Sequence, residues 1–163
     1  MNTSRLELLQ VMPVFGGISE EALHFLLERA KTVEVASGER FFREGEIGES
    51  MFVLEAGRVE VLRELDGEAL TLAELGAGDC FGEMALIECM ARSATVKALE
   101  DCRAFKLTYP ALHELYNFDD SQFLLIQMNL ARELSRRLRK AGDLLSKARE
   151  QIRELRQHHD LLI

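Results

Sequence analysis

The central part of the chain, from Thr32 to Leu107, alternates polar and apolar residues with a period of two. A β-strand presents successive side chains to opposite faces, so this alternation predicts short strands with one buried face. Glycines separate the runs, and Asp66-Gly67 is the clearest hairpin signal because both residues tolerate positive φ. The predicted strands cover residues 32–35, 51–54, 59–62, 70–73, 95–98 and 102–107.

The apolar spacing before these strands is helical. Ser19 is followed by two glutamates, a sequence typical of a helix N-cap with acidic residues in the first turn. The apolar stripe then continues through residues 22–29. A shorter helix around residues 6–11 is expected to end before Pro13 and the two glycines at 16–17.

After Tyr109-Pro110 the helical period returns and continues toward the C-terminus. The apolar or small residues with alternating three-four spacing are Ala131, Leu134, Leu138, Ala141, Leu145, Ala148, Ile152, Leu155 and Leu162, with His159 as the polar exception. This seam extends over about five heptads and roughly 50 Å. It predicts that the distal half, from about Leu144 to Leu162, forms a parallel two-stranded coiled coil in a homodimer, the alternative being a helix that folds back on its own barrel.

Short, evenly spaced strands with glycine turns indicate a jelly-roll-like barrel. We therefore expect a mainly β fold with flanking helices, a jelly-roll-like β-roll (double-stranded β-helix) with N-terminal helices and a long C-terminal helix. Residues 1–120 form the predicted binding domain and residues 121–163 the predicted lid and dimerisation helix. With 163 residues and 47% apolar content, the chain is long enough for one core.

Composition and charge limit the partners. No segment reaches the ~18 consecutive apolar residues of a membrane span, and the N-terminus lacks the pattern of a secretory signal. The sequence therefore predicts a cytoplasmic protein without membrane contact. Residues 1–120 carry 11 Lys and Arg against 23 Asp and Glu, a net charge of −12, whereas residues 121–163 carry 9 against 5, a net charge of +4. The acidic part disfavours direct nucleic-acid binding.

The three cysteines have no metal-site spacing, which disfavours both a zinc site and a disulfide framework. Cys80 and Cys102 lie in strand-like runs and are predicted to be core residues, whereas Cys89 is expected to be more exposed. His158-His159-Asp160 is interpreted as a solvated helix end because adjacent residues on a helix face different directions. No catalytic motif is present, so we expect no catalytic residue, no metal and no enzyme activity.

The segment from Phe81 to Val96 carries the most specific chemistry. Glu83 and Arg92 are nine residues apart, and Gly82 opens a short predicted helix over residues 83–87. A guanidinium and main-chain N–H groups at a helix start suit a phosphate, and a carboxylate can accept a hydrogen bond from a sugar hydroxyl. A cyclic phosphodiester fused to ribose would use all three.

The motif Phe81-Gly82-Glu83-Met84-Ala85-Leu86 followed by Arg92-Ser93-Ala94-Thr95-Val96 closely resembles the phosphate-binding cassette of the cyclic-nucleotide-binding domain family. The similarity extends from about residue 12 to residue 140 and includes the glycines at 38, 45, 48 and 57. Members of this family include the sensor domains of bacterial catabolite activators and the regulatory subunits of protein kinase A.

The resemblance implies a ligand, cyclic AMP or cyclic GMP, and no other cofactor. It implies ligand contacts at Gly82, Glu83, Met84, Ala85, Arg92, Ser93 and Ala94. Serine after the arginine leaves the choice between the two bases open. Where relatives carry glycine and proline before the arginine, this chain has Cys89-Met90-Ala91, so we expect a loop of different shape.

In the activators of this family, hydroxyl side chains on the long helix reach the base. The corresponding residues here are Ala141 and Gly142, which have no side-chain donor, so a purine contact would depend on stacking, main-chain groups or Arg139. Gly142 is interpreted either as a hinge between a lid segment, residues 121–141, and the coil that follows, or as a close-packing point at the seam.

The resemblance therefore predicts a cyclic-nucleotide receptor that signals through movement of its C-terminal helix to an unidentified protein partner. Two alternatives remain: the N-terminal sensor domain of a transcription regulator without its helix-turn-helix domain, and a dimeric scaffold that binds no nucleotide.

Overall fold

Two four-stranded antiparallel sheets form the centre of the fold. The structure is a computed structural model that describes residues 3–160. The strands are β1 (Lys31–Val35), β2 (Arg40–Phe42), β3 (Ser50–Ala56), β4 (Val59–Leu65), β5 (Glu68–Leu75), β6 (Cys80–Phe81), β7 (Thr95–Ala98) and β8 (Cys102–Thr108). Their order is β1-β8-β3-β6 in one sheet and β2-β7-β4-β5 in the other, which confirms the predicted β-roll.

All six predicted strands are present, but the sequence pattern missed β2 and β6. These two strands have three and two residues, too few for an alternation to be recognised. The turn at Asp66 and Gly67 joins β4 to β5 as predicted, and both residues have positive φ, 53° and 83°. That conformation matches the twist of a two-residue hairpin.

A core of aromatic and small side chains fills the β-roll. Phe52 and Phe81 stack with ring centroids 5.4 Å apart, and Phe42 lies against both. Cys80 and Cys102 are buried and Cys89 is exposed, as the sequence predicted. This core supports β2, β3 and β6 at the point where the candidate site is built.

Five α-helices and one 3-10 helix flank the sheets within the described residues. They are α1 (Thr3–Gln10), the 3-10 helix (Pro13–Phe15), α2 (Glu20–Arg29), α3 (Glu83–Glu88), α4 (Tyr109–Phe118) and α5 (Asp120–Asp160). Ser19 caps α2 through a hydrogen bond from Ala22 N to Ser19 Oγ of 3.2 Å. α1 begins three residues earlier than expected, and helix ends are the least reliable part of such predictions.

The helical segment after β8 is divided in two, which the periodicity did not indicate. α4 ends at its C-cap, Asp119. The N–H of Asp119 makes the last helical hydrogen bond, to Leu115 O, and its extended backbone then leaves the helix. Its carboxylate accepts from Gln122 N at 3.1 Å and so caps α5. An aspartate at this position is a typical N-cap, and that is the signal the sequence offered.

The described part of the chain separates into two compact units, with the boundary between Asn129 and Leu130. In the second unit the predicted seam is largely open to solvent, with Leu138 75%, Leu145 71%, Ile152 53% and Leu155 71% exposed. Leu162 and the side chain of His159 lie outside the described residues. Within residues 3–160, no helix has the length and apolar content needed to cross a membrane.

Candidate functional site

Arg92 lies just before β7, in the connection that follows α3. Its side chain is only 6% exposed, an unusual position for an arginine. The backbone around it is fixed on both sides, because Arg92 N donates to Glu46 O at 2.8 Å and Gly45 N donates to Arg92 O at 2.9 Å. The loop between β2 and β3 thus holds the arginine in place.

Within the described residues, the guanidinium of Arg92 donates three hydrogen bonds to uncharged oxygens. Nη1 donates to Ser50 O at 2.7 Å and to Gly82 O at 2.8 Å, and Nη2 donates to Ser50 Oγ at 3.2 Å. Its Cζ lies 4.1 Å from the centroid of the Phe42 ring, a cation–π contact. Among the described residues, the buried Nε has no hydrogen-bond acceptor.

Burial lowers the pKa of Arg92, and the negative charges of Glu46 and Glu83 act in the opposite direction. Glu83 is itself only 4% exposed. A buried cation that has lost its hydration and bonds mainly to neutral oxygens is stabilised by an anion that reaches it. Arg92 is therefore a buried cation whose neighbouring carboxylates only partly offset its loss of hydration.

The short helix α3 begins at Glu83, directly after Gly82. Gly82 has a φ of +76°, and a Cβ at this position would lie 2.7 Å from Arg92 Nη1. Glycine is thus required here both by the left-handed backbone and by the close approach of the guanidinium. Ala85, in the first turn of the helix, is also buried. These contacts confirm the short helix that the sequence predicted.

The remaining cassette residues lie nearer the surface. Ser93 is exposed, and its Oγ donates to the sulfur of Met84 at 3.6 Å. Met84 is 40% exposed, whereas Ala94 is 8% exposed and belongs to the interior. The structure therefore brings Arg92 against Gly82 and Ser93 against Met84. A ligand role for each residue stays a prediction.

The loop between α3 and Arg92 has an irregular backbone. Cys89 adopts a left-handed conformation with φ of 54°, and Met90 is 66% exposed. Ala91 forms an isolated bridge with Ile47, which ties this loop to the one between β2 and β3. A cysteine in this backbone region is uncommon because side chains with a Cβ are disfavoured there.

Two cavities flank the loop that contains Gly48. The first, of about 410 Å³, is lined by Arg92, Ser50, Lys106 and Thr108 among others. The second, of about 600 Å³, is mostly apolar and lies beside Ala85. Each cavity touches only one of the predicted cassette residues, so neither of them by itself outlines the predicted ligand site.

Among the residues close to the Arg92 side chain, sequence reasoning missed three that shape its surroundings. They are Phe42, Gly48 and Ser50. Unlike the glycines at 38, 45 and 57, Gly48 does not have positive φ, so its backbone conformation does not explain why glycine stands there. Nothing in the local pattern connects Ser50 with an arginine 42 positions later. Ser50 lies in β3 of one sheet and Arg92 precedes β7 of the other, so the two residues meet only when the two sheets pack together.

The predicted purine contacts, Arg139, Ala141 and Gly142, lie in the second unit and are exposed within it. Their role stays a prediction. In the part of the chain that the structure describes, no group of three histidine, cysteine, aspartate or glutamate residues is arranged to hold a metal ion. The side chains of His158, His159 and Asp160 lie outside that part.

The chain is similar to several known proteins. The family described as "Cyclic nucleotide-binding domain" matches residues 32–119. The Cyclic AMP receptor protein of Thermus thermophilus is 35% identical over 138 residues, which cover 82% of this chain and 62% of that protein. The cAMP-dependent protein kinase regulatory subunit of Blastocladiella emersonii is 30% identical over 108 residues, covering 66% of this chain and 27% of that protein.

A solved structure shows the same architecture. The crystal structure of the Thermus thermophilus catabolite activator protein superposes with a TM-score of 0.71 at 34% identity, covering 82% of this chain and 63% of that one. The chain thus spans less than two thirds of the length of the relatives named here.

Proposed function

Because the chain belongs to the cyclic nucleotide-binding domain family, we propose that it is a receptor that binds cyclic AMP or cyclic GMP and signals through its C-terminal helix. The observation that carries the proposal is the buried guanidinium of Arg92. Its three hydrogen bonds go to neutral oxygens, and its Nε has no acceptor among the described residues. A cyclic phosphodiester would bring hydrogen-bond acceptors and a negative charge to the guanidinium in a compact form.

Arg92 and the main-chain N–H groups of Gly82 and Ala85 would hold the phosphate, and Ser93 Oγ would add a donor at its exposed edge. Glu83 would accept a hydrogen bond from the ribose hydroxyl. Met84 and Ala94 complete the proposed pocket around the sugar-phosphate ring. Glu83 and Arg92 would then contact opposite parts of one ligand.

Cyclic AMP is the first ligand to test, because the receptor relative from Thermus thermophilus is named for it. Cyclic GMP is the alternative, since neither Ser93 nor the exposed segment with Arg139, Ala141 and Gly142 provides an obvious means of selecting one base. In the proposed closed state this segment would cover the purine. A ligand that binds the closed state better shifts an existing equilibrium toward it.

The proposed output is non-catalytic: the long helix would form a homodimer and present a different surface to a protein partner when ligand binds. The same site would serve equally as the sensor part of a longer transcription regulator, since the chain spans 62% of the Thermus receptor. The activity of a whole protein of that kind is therefore also a proposal.

Isothermal titration calorimetry with cyclic AMP and cyclic GMP tests the ligand. Replacing Arg92 by glutamine removes the charge while retaining a hydrogen-bond donor, and we expect it to weaken binding by about 100-fold, the effect of losing charged hydrogen bonds to a phosphate. Arg63→Gln is the matched control, because this arginine is 51% exposed and pairs with Glu44 on the surface.

Far-UV circular dichroism has to show that both variants are folded before the affinities are compared. Equal binding by wild type and Arg92→Gln would remove Arg92 from the site. Absence of heat with both nucleotides at millimolar concentration, confirmed by an unchanged melting temperature, would overturn the receptor proposal in favour of a scaffold.

A further inference from the structure

Ser50 supplies two of the three acceptors that hold the Arg92 guanidinium. Its carbonyl oxygen accepts from Nη1 at 2.7 Å, and its hydroxyl accepts from Nη2 at 3.2 Å. The side chain of Ser50 is itself buried, with 4% of the residue exposed. Because both terminal nitrogens of the planar guanidinium bond to Ser50, this residue fixes the position of the group and its rotation as well.

Gly48 lies against another part of the same guanidinium. A Cβ at this position would be 2.7 Å from Arg92 Nε, 2.8 Å from Cζ and 2.6 Å from the Cβ of Ala85. The backbone of Gly48 does not have positive φ, so an alanine could adopt its conformation. The absence of a side chain at Gly48 is therefore explained by the space that Arg92 and α3 occupy.

We infer that Ser50 and Gly48 are positioning residues for the phosphate-binding arginine: Ser50 orients the guanidinium and Gly48 leaves the room it needs. This inference rests on the proposed function for its effect on binding. Holding a flexible arginine in its bound orientation beforehand reduces the ordering cost of binding, so loss of either feature weakens the complex.

Calorimetry on Ser50→Ala, Ser50→Thr and Gly48→Ala tests the positioning role. Ser50→Ala keeps the carbonyl but removes the hydroxyl, and we expect roughly ten-fold weaker binding of cyclic AMP, or of cyclic GMP if that nucleotide binds the wild type more tightly. Ser50→Thr restores the hydroxyl and is expected to recover most of the affinity. Gly48→Ala is expected to weaken binding at least as much as Ser50→Ala.

Two variants control for effects unrelated to Arg92. Gly76→Ala adds a methyl group at a glycine with no atom within 4 Å and without positive φ. Ser37→Ala removes a hydroxyl whose hydrogen bond goes to Leu99 O on the surface. Both are expected to bind like the wild type.

A double-mutant cycle separates positioning from a general structural role. Combined with Arg92→Gln, the Ser50→Ala and Gly48→Ala changes are expected to cause little further loss, because the guanidinium that they position is gone. If each change costs the same in both backgrounds, or if Ser50→Ala binds as tightly as the wild type, the positioning role is wrong.

A ligand-free measurement keeps this inference separate from the proposed function. The Nε–Hε signal of Arg92 in ¹⁵N-edited NMR can be assigned by its loss in Arg92→Gln. We expect that signal to move and to exchange faster with water in Ser50→Ala and Gly48→Ala but not in the two controls. Unchanged signals would refute the positioning role, whereas a wild type that binds neither nucleotide would refute only the proposed function.

Discussion

Arg92 shows how one side chain can be costly to the fold and still suit a ligand site. Burial lowers its pKa by removing water, and nearby Glu46 and Glu83 compensate only in part. Its Nε lacks an acceptor among the described residues. An orphaned buried donor on a charged group is expensive, so its retention is more readily explained by an anionic ligand than by stability.

The three thiols differ in accessibility, and this difference can be measured. Cys89 is exposed, whereas Cys80 and Cys102 are buried. Burial raises the pKa of the Cys102 thiol, which donates to Glu100 O at 3.2 Å and to Arg58 O at 3.3 Å. In a maleimide reaction at pH 7.5, we expect one fast thiol per native chain and three after denaturation, because the thiolate must be formed and reached by the reagent.

Mass spectrometry of the labelled peptides identifies the fast thiol. Cys89→Ser is expected to abolish the fast phase, whereas Cys80→Ser is expected to leave it intact. Rapid labelling of Cys80 or Cys102 in the folded protein would contradict the burial described for them.

At the scale of elements, Gly142 is the weak point of α5. No atom lies within 4 Å of a Cβ added there, and its φ is not positive. Gly142→Ala is therefore expected to raise the free energy of unfolding by about 1 kcal/mol through the higher helix propensity of alanine. Urea denaturation followed by circular dichroism at 222 nm measures the change.

Gly67→Ala is a suitable comparison, because a Cβ there also meets no atom within 4 Å but the backbone has φ of +83°. That variant is expected to lose about 1 kcal/mol, so the two substitutions should have opposite signs. A loss of stability in Gly142→Ala would mean that its surroundings, such as a partner helix, require glycine.

Glu133 forms a charged cluster with the next turn of α5. Its Oε2 accepts from Arg136 Nη2 at 2.6 Å, and its Oε1 accepts from Arg137 Nε at 3.0 Å. Burial pushes the pKa of Glu133 upward, but the hydrogen bonds and charges of the two arginines outweigh it, and the pKa falls below its usual value of about 4.5.

A lowered carboxyl pKa stabilises the fold above the unfolded-state pKa, and this contribution is lost as pH falls through the folded-state value. We expect Glu133→Gln to cost about 0.5 kcal/mol at pH 7, the typical size of surface helix pairs. Thermal melts should show the difference from the wild type shrinking below pH 4. Glu150→Gln is the control in the same helix, and an equal pH-dependent loss there would contradict a specific cluster.

At the scale of the whole molecule, the exposed seam of the second unit predicts a dimer. Leu145 is 71% exposed and Ile152 is 53% exposed, and both belong to the heptad-like series. Burying such a stripe against a second copy removes apolar surface from water. Light scattering coupled to size-exclusion chromatography should therefore give a mass near twice 18.5 kDa.

The double variant Leu145→Glu and Ile152→Glu is expected to run as a monomer at micromolar concentration, because carboxylates would face each other across the seam. Ser146→Glu places the same charge in the same helix but outside the seam and should remain dimeric. A monomeric wild type would refute the dimer.

Sequence patterns predicted much of the architecture because they reflect local physics. Alternation predicted the six longer strands, and Asp66-Gly67 predicted the hairpin between β4 and β5. Ser19 marked the start of α2. The pattern failed where elements are too short to show a period, as in β2 and β6, and where Asp119 interrupts an otherwise helical segment. The division at residue 120 into binding domain and lid stays a prediction.

The sequence by itself determined the chemistry of the candidate site, because a glycine, a carboxylate and an arginine at fixed spacing lie within 11 residues of one continuous segment. Only the tertiary structure decided how that arginine is held. Pairing of β2 with β7 brings Phe42 to it, and packing of the two sheets brings Ser50 to it and leaves Gly48 no room for a side chain. Spacing along the chain encodes local geometry, but contacts between residues 42 positions apart depend on the closure of the sheets.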